Sequence, residues 1–440
     1  MSLQAAQANL PLEELSWKIT KSASVVSQYL AAHNLPQPSL DSDGPITTVP
    51  STAPQGIQQS LSDLIGASLE MFQLALGPSE FVPNMATGYQ YIACITWLLQ
   101  YDIFHLVPLN EPISYADLAA AAQVPDQRLK SIMRMAMTNT LFREQPDGLH
   151  VKHSATSAFL ARSDDVRAWA SHLCTLTAPT ALSLAAAHQR WGPATVRKNE
   201  TAFNAAFDTD LPYFDDVARD EAKMRQFAAL MRNVTSSKGV DLEHLVNGFS
   251  WNKIKMGSIV VDVGGSSGAS AIKLATTFPH LNFVVQDMSA NTDRGRDATS
   301  AMPLEIASRL TFQAHDFTQP QPVRGAAVYL LRMILHDWPD VEAITILRQL
   351  VSAMTPESSR LLIMDTVLPV PGSVPVSVER IVRVRDMTMM EIFNSKEREL
   401  EDWKSLLAAA DERLKLVNVV QPFGSDMSVL EVELGSVAEP

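Results

Sequence analysis

From Ile259 to the C-terminus, short apolar runs alternate with helix-patterned stretches, and few folds accept that alternation. The runs cover 259–264, 282–287, 310–316, 326–333 and 360–368. In the first of them Ile259, Val260, Val261 and Val263 are β-branched and nearly continuous, as in a strand covered by helices on both faces. Strands alternating with helices predict a doubly wound, Rossmann-like α/β sheet. Two final runs, LKLVNVVQ and SVLEVELG, are close enough in sequence to form an antiparallel hairpin at its edge.

Ligands of such sheets bind beyond the carboxyl ends of the strands, so the residues that follow each run are the candidates. The first run leads into Gly264, Gly265 and Gly268, where the missing Cβ atoms let the backbone turn tightly and approach a ligand. The second ends at Asp287, about 20 residues on, where a carboxylate suits two ribose hydroxyls. A dinucleotide site asks for G-x-G-x-x-G, and here Ser266 stands in the second glycine's place. Asp262, two residues before the first glycine, is poorly suited to a diphosphate and well suited to the ammonium of an amino-acid tail. The pattern favours S-adenosylmethionine, while the turn alone also admits another nucleotide or a structural role.

The third run ends at Asp316 and Phe317, a carboxylate and a ring fit to meet an adenine amino group and its face. The fourth ends in LRMILHDWPD and brings Arg332, His336, Asp337 and Trp338 together; the fifth closes on Asp365. A single histidine is more often structural than catalytic, but the position of His336 at the mouth of a nucleoside site favours a catalytic role.

The rest of the chain sets limits. Its 440 residues suffice for several domains, and 46% hydrophobic residues describe an ordinary globular protein. No apolar run has the length of a membrane span, the N-terminus lacks a secretory pattern, and the expected location is the cytoplasm. Cys94 and Cys174 are too few for a disulfide framework and read as buried core. A formal charge of −13 with no basic block disfavours nucleic acid. Residues 1–55 read as an amphipathic helix (10–34) and a linker (36–55), and residues 56–180 as a winged-helix-like domain. Its parts are a helix capped by Ser114, a second carrying Arg128, Lys130 and Arg134 among Met133, Met135 and Met137, and a hairpin turning at Pro146-Asp147-Gly148. His150 and His153 read as surface residues, since no third ligand lies near them. The stretch 87–104 is too apolar for a solvent-facing helix, so it is core or an interface. Residues 181–250 read as a helical connector contributing to the acceptor pocket, and 251–440 as the nucleoside-binding domain.

The segments VVDVGGSSG, VVQDM, HDF, LLRMILHDWPD and FNSKERELEDW occur in the order and spacing of a known family. From about residue 60 onward the chain resembles the small-molecule O-methyltransferases typified by plant caffeic acid and isoflavone enzymes and their fungal relatives. The resemblance implies an S-adenosylmethionine-dependent enzyme that methylates a hydroxyl of an aromatic or polyketide-type small molecule, and a homodimer built through the winged-helix domain. It implies His336 as general base, supported by Asp365 and Glu397. It places the cofactor at Gly264, Asp287, Asp316, Phe317 and Arg332, where plant members usually carry lysine, with Trp338 near the adenine. Met390 and Asn394 fall on positions lining the acceptor pocket. Some relatives keep the cofactor but catalyse dehydration or pericyclic ring formation, which stands as the alternative.

The chemistry agrees. A phenol with pKa near 10 gives its proton to an ordinary histidine at a cost of about 5 kcal/mol. Two carboxylates that orient the imidazole and favour its charged form reduce that cost, and no metal is required.

Overall fold

The computed structural model describes residues 11–436. By its contacts the chain forms two compact units: one holds residues up to Pro179 with Val217–Asn233 and Pro371–Ile381, the other Thr180–Asp216, Val234–Val370 and the chain from Val382 onward.

The second unit is organised on a seven-stranded sheet. Its strands are β1 (Ile259–Val263), β2 (Asn282–Asp287), β3 (Leu310–Ala314), β4 (Val328–Arg332), β5 (Arg360–Asp365), β6 (Leu414–Val420) and β7 (Ser428–Leu434), in the order β6-β7-β5-β4-β1-β2-β3. The five expected strands form and run parallel to their neighbours among themselves, and the C-terminal hairpin adds β7 and β6 antiparallel at one edge. The period of two sorts their side chains onto two cores. Val261, Val263, Tyr329, Leu331, Leu361 and Ile363 pack on one face with the helices Asp340–Val351 and Leu400–Ala410. Val260, Phe283, Val285, Leu330 and Leu362 pack on the other with the helix Ala269–Thr277. The chain leaves β1 towards β2 and β3, then returns to β4 on β1's other side. That reversal is the switch point where such sheets hold ligands.

Four strands stop earlier than the apolar runs suggest, β1 among them at Val263. β3 ends before His315, β4 at Arg332, and β5 at Asp365, after which Val367–Leu368 leaves the sheet to pair in parallel with Arg398–Glu399. Arg332 and Asp365 are the last ladder residues of β4 and β5, while His315 and Asp316 lie just beyond β3.

In the first unit the helices Pro11–Ala32 and Gln55–Leu76 pack together around Val26, Leu30, Val49 and Ala53. Residue 10, at the start of the expected helix, lies outside the described residues. The stretch 36–54 has no helix but is no free linker: Val49 and Ala53 are buried, Asp41 pairs with Arg143, and Leu40 O accepts from Ala155 N–H. Ser114 Oγ accepts from Asp117 N–H and caps Tyr115–Ala122; the helix Asp126–Met137 and the strands Arg143–Glu144 and His150–Lys152 follow where the winged-helix reading puts them. Met133 is buried and Met135 and Met137 pack against the same core. Lys130 donates to Gly148 O and Arg134 forks onto Glu144, so both cations bond within the domain.

Two expectations fail here. His153 is fully buried, its ring bonded to Val107 O and Ser157 Oγ, because the hairpin folds inward at that point. Cys174 is half-buried, not core. The apolar stretch 87–104 falls mostly in the helix Phe81–Gln100, which divides its faces: Cys94 and Leu98 are buried, whereas Phe81, Val82, Met85, Tyr89 and Ile92 form an exposed stripe. Among the described residues no helix is long and apolar enough to cross a membrane.

Candidate active site

The turn after β1 is held by backbone bonds: the N–H groups of Gly264 and Gly265 both donate to Gln286 O. Gly264 and Gly268 have φ of +72° and +86°, where a side chain is strained. The sequence suggests that the glycines make room for a ligand, but Gly268 answers first to packing. A Cβ there would stand 2.9 Å from the Phe312 ring on β3. Ser266 is exposed, takes φ +53°, and donates its N–H to Asp287 Oδ2 at 2.8 Å. Asp287 Oδ1 accepts from Met288 N–H and Asn291 Nδ2, so this carboxylate closes the turn.

Asp262 lies beneath the turn, only 2% exposed, and burial pushes its carboxyl up to about 7 despite the nearby Arg332. A Cβ on Gly265 would come within 2.5 Å of Asp262 Oδ2, so glycine keeps that side of the carboxylate open. Asp262 Oδ2 and Arg332 Nε are buried without hydrogen-bond partners among the described residues. Arg332 otherwise reaches Val240 O. An unsatisfied acceptor and an unsatisfied cationic donor at the switch point match the ammonium and carboxylate of an amino-acid tail, and the residues fit S-adenosylmethionine. Across the rim, Asp316 Oδ1 accepts from the N–H and hydroxyl of Thr318, which hold its carboxyl below the usual range. Phe317 meets the Trp338 ring edge to face, centroids 5.5 Å apart.

His336 sits in a single helical turn, Leu335–Asp337, just past β4. Its Nδ1 lies 2.9 Å from Glu397 Oε1, and its Nε2 3.7 Å from Asp337 Oδ1. The Val367–Leu368 and Arg398–Glu399 pair delivers Glu397 to the end of β5, and Asp386 Oδ1 accepts Glu397 N–H. Burial by itself would lower the imidazole's pKa; Glu397, Asp337 and Asp365 outweigh it and raise it to about 10. Burial pushes Asp365 up to about 7 and Asp337 to about 6. Asp365 is fully buried, yet neither of its oxygens has a hydrogen-bond partner among the described residues. Its negative charge raises the pKa of His336 without a hydrogen bond to the ring.

Met390 is partly buried on the helix Val376–Phe393, and Asn394 follows at φ +53°. The Asn394 amide donates to Arg197 O and Glu200 O, so its N–H groups grip a loop. Phe393 beside it stacks on Phe214 and meets Tyr213 edge to face.

The chain matches the family model described as the O-methyltransferase domain over residues 192–411. It is 60% identical over 427 residues to the O-methyltransferase pgmB of Aspergillus terreus, covering 97% of this chain and 96% of that one. This chain belongs to the O-methyltransferase family.

The enzyme is an S-adenosylmethionine-dependent O-methyltransferase. It also resembles the solved structure of LepI in complex with S-adenosylmethionine, at 26% identity and a TM-score of 0.69 over 86% of this chain and 94% of that one. A structure described as a pericyclic reaction enzyme is similar at 26% identity and a TM-score of 0.68, covering 87% and 95%.

Sequence reasoning missed several parts of the methyltransferase's site. Arg398 is fully buried, and its guanidinium donates to Leu335 O, Trp338 O and Asp340 Oδ1, binding the turn that carries His336 from both sides. Its place directly after Glu397 was the available signal. Asp337 was visible next to His336, but adjacency in a chain does not say which ring nitrogen a carboxylate faces. The ring cluster of Tyr213, Phe214 and Phe393 joins residues about 180 apart, beyond any local pattern.

Proposed function

We propose that the enzyme methylates a hydroxyl, in the first place a phenolic one, of an aromatic or polyketide-type small molecule, with His336 as general base. The observation that carries this reading is the Nδ1 contact of His336 with Glu397 Oε1. With Nδ1–H donating to the carboxylate, the lone pair sits on Nε2, which takes the proton from the acceptor hydroxyl. Glu397 stabilises the imidazolium that results, and Asp337 and Asp365 add negative charge around it. When bound, S-adenosylmethionine supplies a methyl group on a positively charged sulfur. Asp262 and Arg332 would hold its amino-acid tail, Asp287 its ribose, and Asp316, Phe317 and Trp338 its adenine. Gly264, Gly265 and Gly268 shape the backbone between them. The rings of Tyr213, Phe214 and Phe393, with Met390, suit a flat apolar acceptor.

The likeness to a pericyclic reaction enzyme favours one rival, a reaction in which the methyl group stays on the cofactor. Counting S-adenosylhomocysteine against acceptor consumed separates the two. Methyl transfer gives one for one; acceptor conversion without S-adenosylhomocysteine selects the rival.

The exposed stripe Phe81, Val82, Met85, Tyr89 and Ile92 supports a homodimer formed through the N-terminal domain.

A further inference from the structure

Lys198 lies in the loop before the helix Ala202–Phe207, and its Nζ stands 3.5 Å from the centroid of the Trp338 ring. It is half-buried, and burial lowers its pKa; Glu342 and Asp215 act on it only by charge, with no carboxylate in ion-pair distance among the described residues. Its neighbour Arg197 differs, because the Glu200 carboxylate lies 3.0 Å away. The loop is built to hold this lysine. Asn394 Nδ2 donates to the carbonyls of Arg197 at 2.7 Å and Glu200 at 3.2 Å, gripping both sides of Lys198. Thr195 Oγ1 adds a bond to Glu200 Oε2 at 2.5 Å.

Around His336 the charge is the opposite. Glu397, Asp337 and Asp365 make the surroundings of the base acidic, so an acceptor with an ionised group of its own is repelled unless a cation faces it. Lys198 sits on the ring of Trp338, the residue after Asp337, and brings a charge that no described residue neutralises by ion-pair contact.

We propose that Lys198 recognises the acceptor by pairing with an ionised acidic oxygen, a carboxylate or an acidic enol, distinct from the hydroxyl that is methylated. The proposal rests on the reading of this site as one that takes an aromatic acceptor for methyl transfer. Calorimetry on the full chain with S-adenosylhomocysteine present tests it in two arms: a hydroxynaphthoate against its methyl ester, and a hydroxynaphthoquinone against its methyl ether. Wild type is expected to bind the anion about tenfold or more tightly in at least one arm, which identifies the source of the charge. Lys198→Met removes that preference and leaves affinity for the neutral partner unchanged; Lys198→Arg retains part of it. Unchanged thermal melting of both variants excludes misfolding. No preference in either arm of the wild type, or a preference that survives in Lys198→Met, overturns the proposal. Methyl transfer is scored separately. An anion preference without S-adenosylhomocysteine production from any acceptor would break the reading of the reaction and leave the recognition standing.

Discussion

If His336 is the base, as proposed, its carboxylates strengthen it at a cost in pH range. Three carboxylates raise its pKa to about 10, so at neutral pH the free imidazole already holds a second proton and cannot accept another. The reactive form therefore grows as pH rises, and kcat/KM should climb through the alkaline range towards that value. Glu397→Gln removes the charge bonded to Nδ1, lowers the imidazole's pKa, and should move the rising limb to lower pH while reducing the plateau about tenfold or more. A limb that stays in place would show that Glu397 does not set the base. The pairing of His336 with Glu397 was legible because each lies in a short motif whose order survives in one dimension. The unequal roles of Asp365 and Glu397 were not, since both are acidic and only the packing decides which one touches the ring.

At the scale of elements, the glycine turn and the short ladder after β5 fix the site. Gly268 has a positive φ and no room before Phe312, so Gly268→Ala should destabilise the fold by about 2 kcal/mol, read from denaturant unfolding. A change within about 0.5 kcal/mol would mean that the turn relaxes freely. Arg398 ties the ladder to the His336 turn through Leu335 O, Trp338 O and Asp340, and lysine cannot reproduce that fork. Arg398→Lys should lower kcat about tenfold or more with little effect on cofactor affinity; equal losses in both would assign it a general structural role. The sheet strands could be read from sequence because burial on both faces demands continuous apolar residues. The anchoring of 36–55 could not, because its Pro, Ser, Thr and Asp content announces a loop, while its attachment depends on a few side chains, Val49, Ala53 and Asp41.

For the whole molecule, the exposed stripe on Phe81–Gln100 predicts self-association. Met85 stands on the face opposite Cys94, so a charge there leaves the core intact. Met85→Glu with Tyr89→Glu should convert a dimer to a monomer in sedimentation; a wild-type monomer at micromolar concentration would contradict the assembly. Methyl transfer with His336 taking the acceptor's proton is decided by the variant His336→Ala. S-adenosylhomocysteine formation and calorimetric binding of S-adenosylmethionine are measured on the same preparation. Turnover should fall by a factor on the order of a thousand, with cofactor affinity within about twofold of wild type. Methylation at the wild-type rate would contradict it.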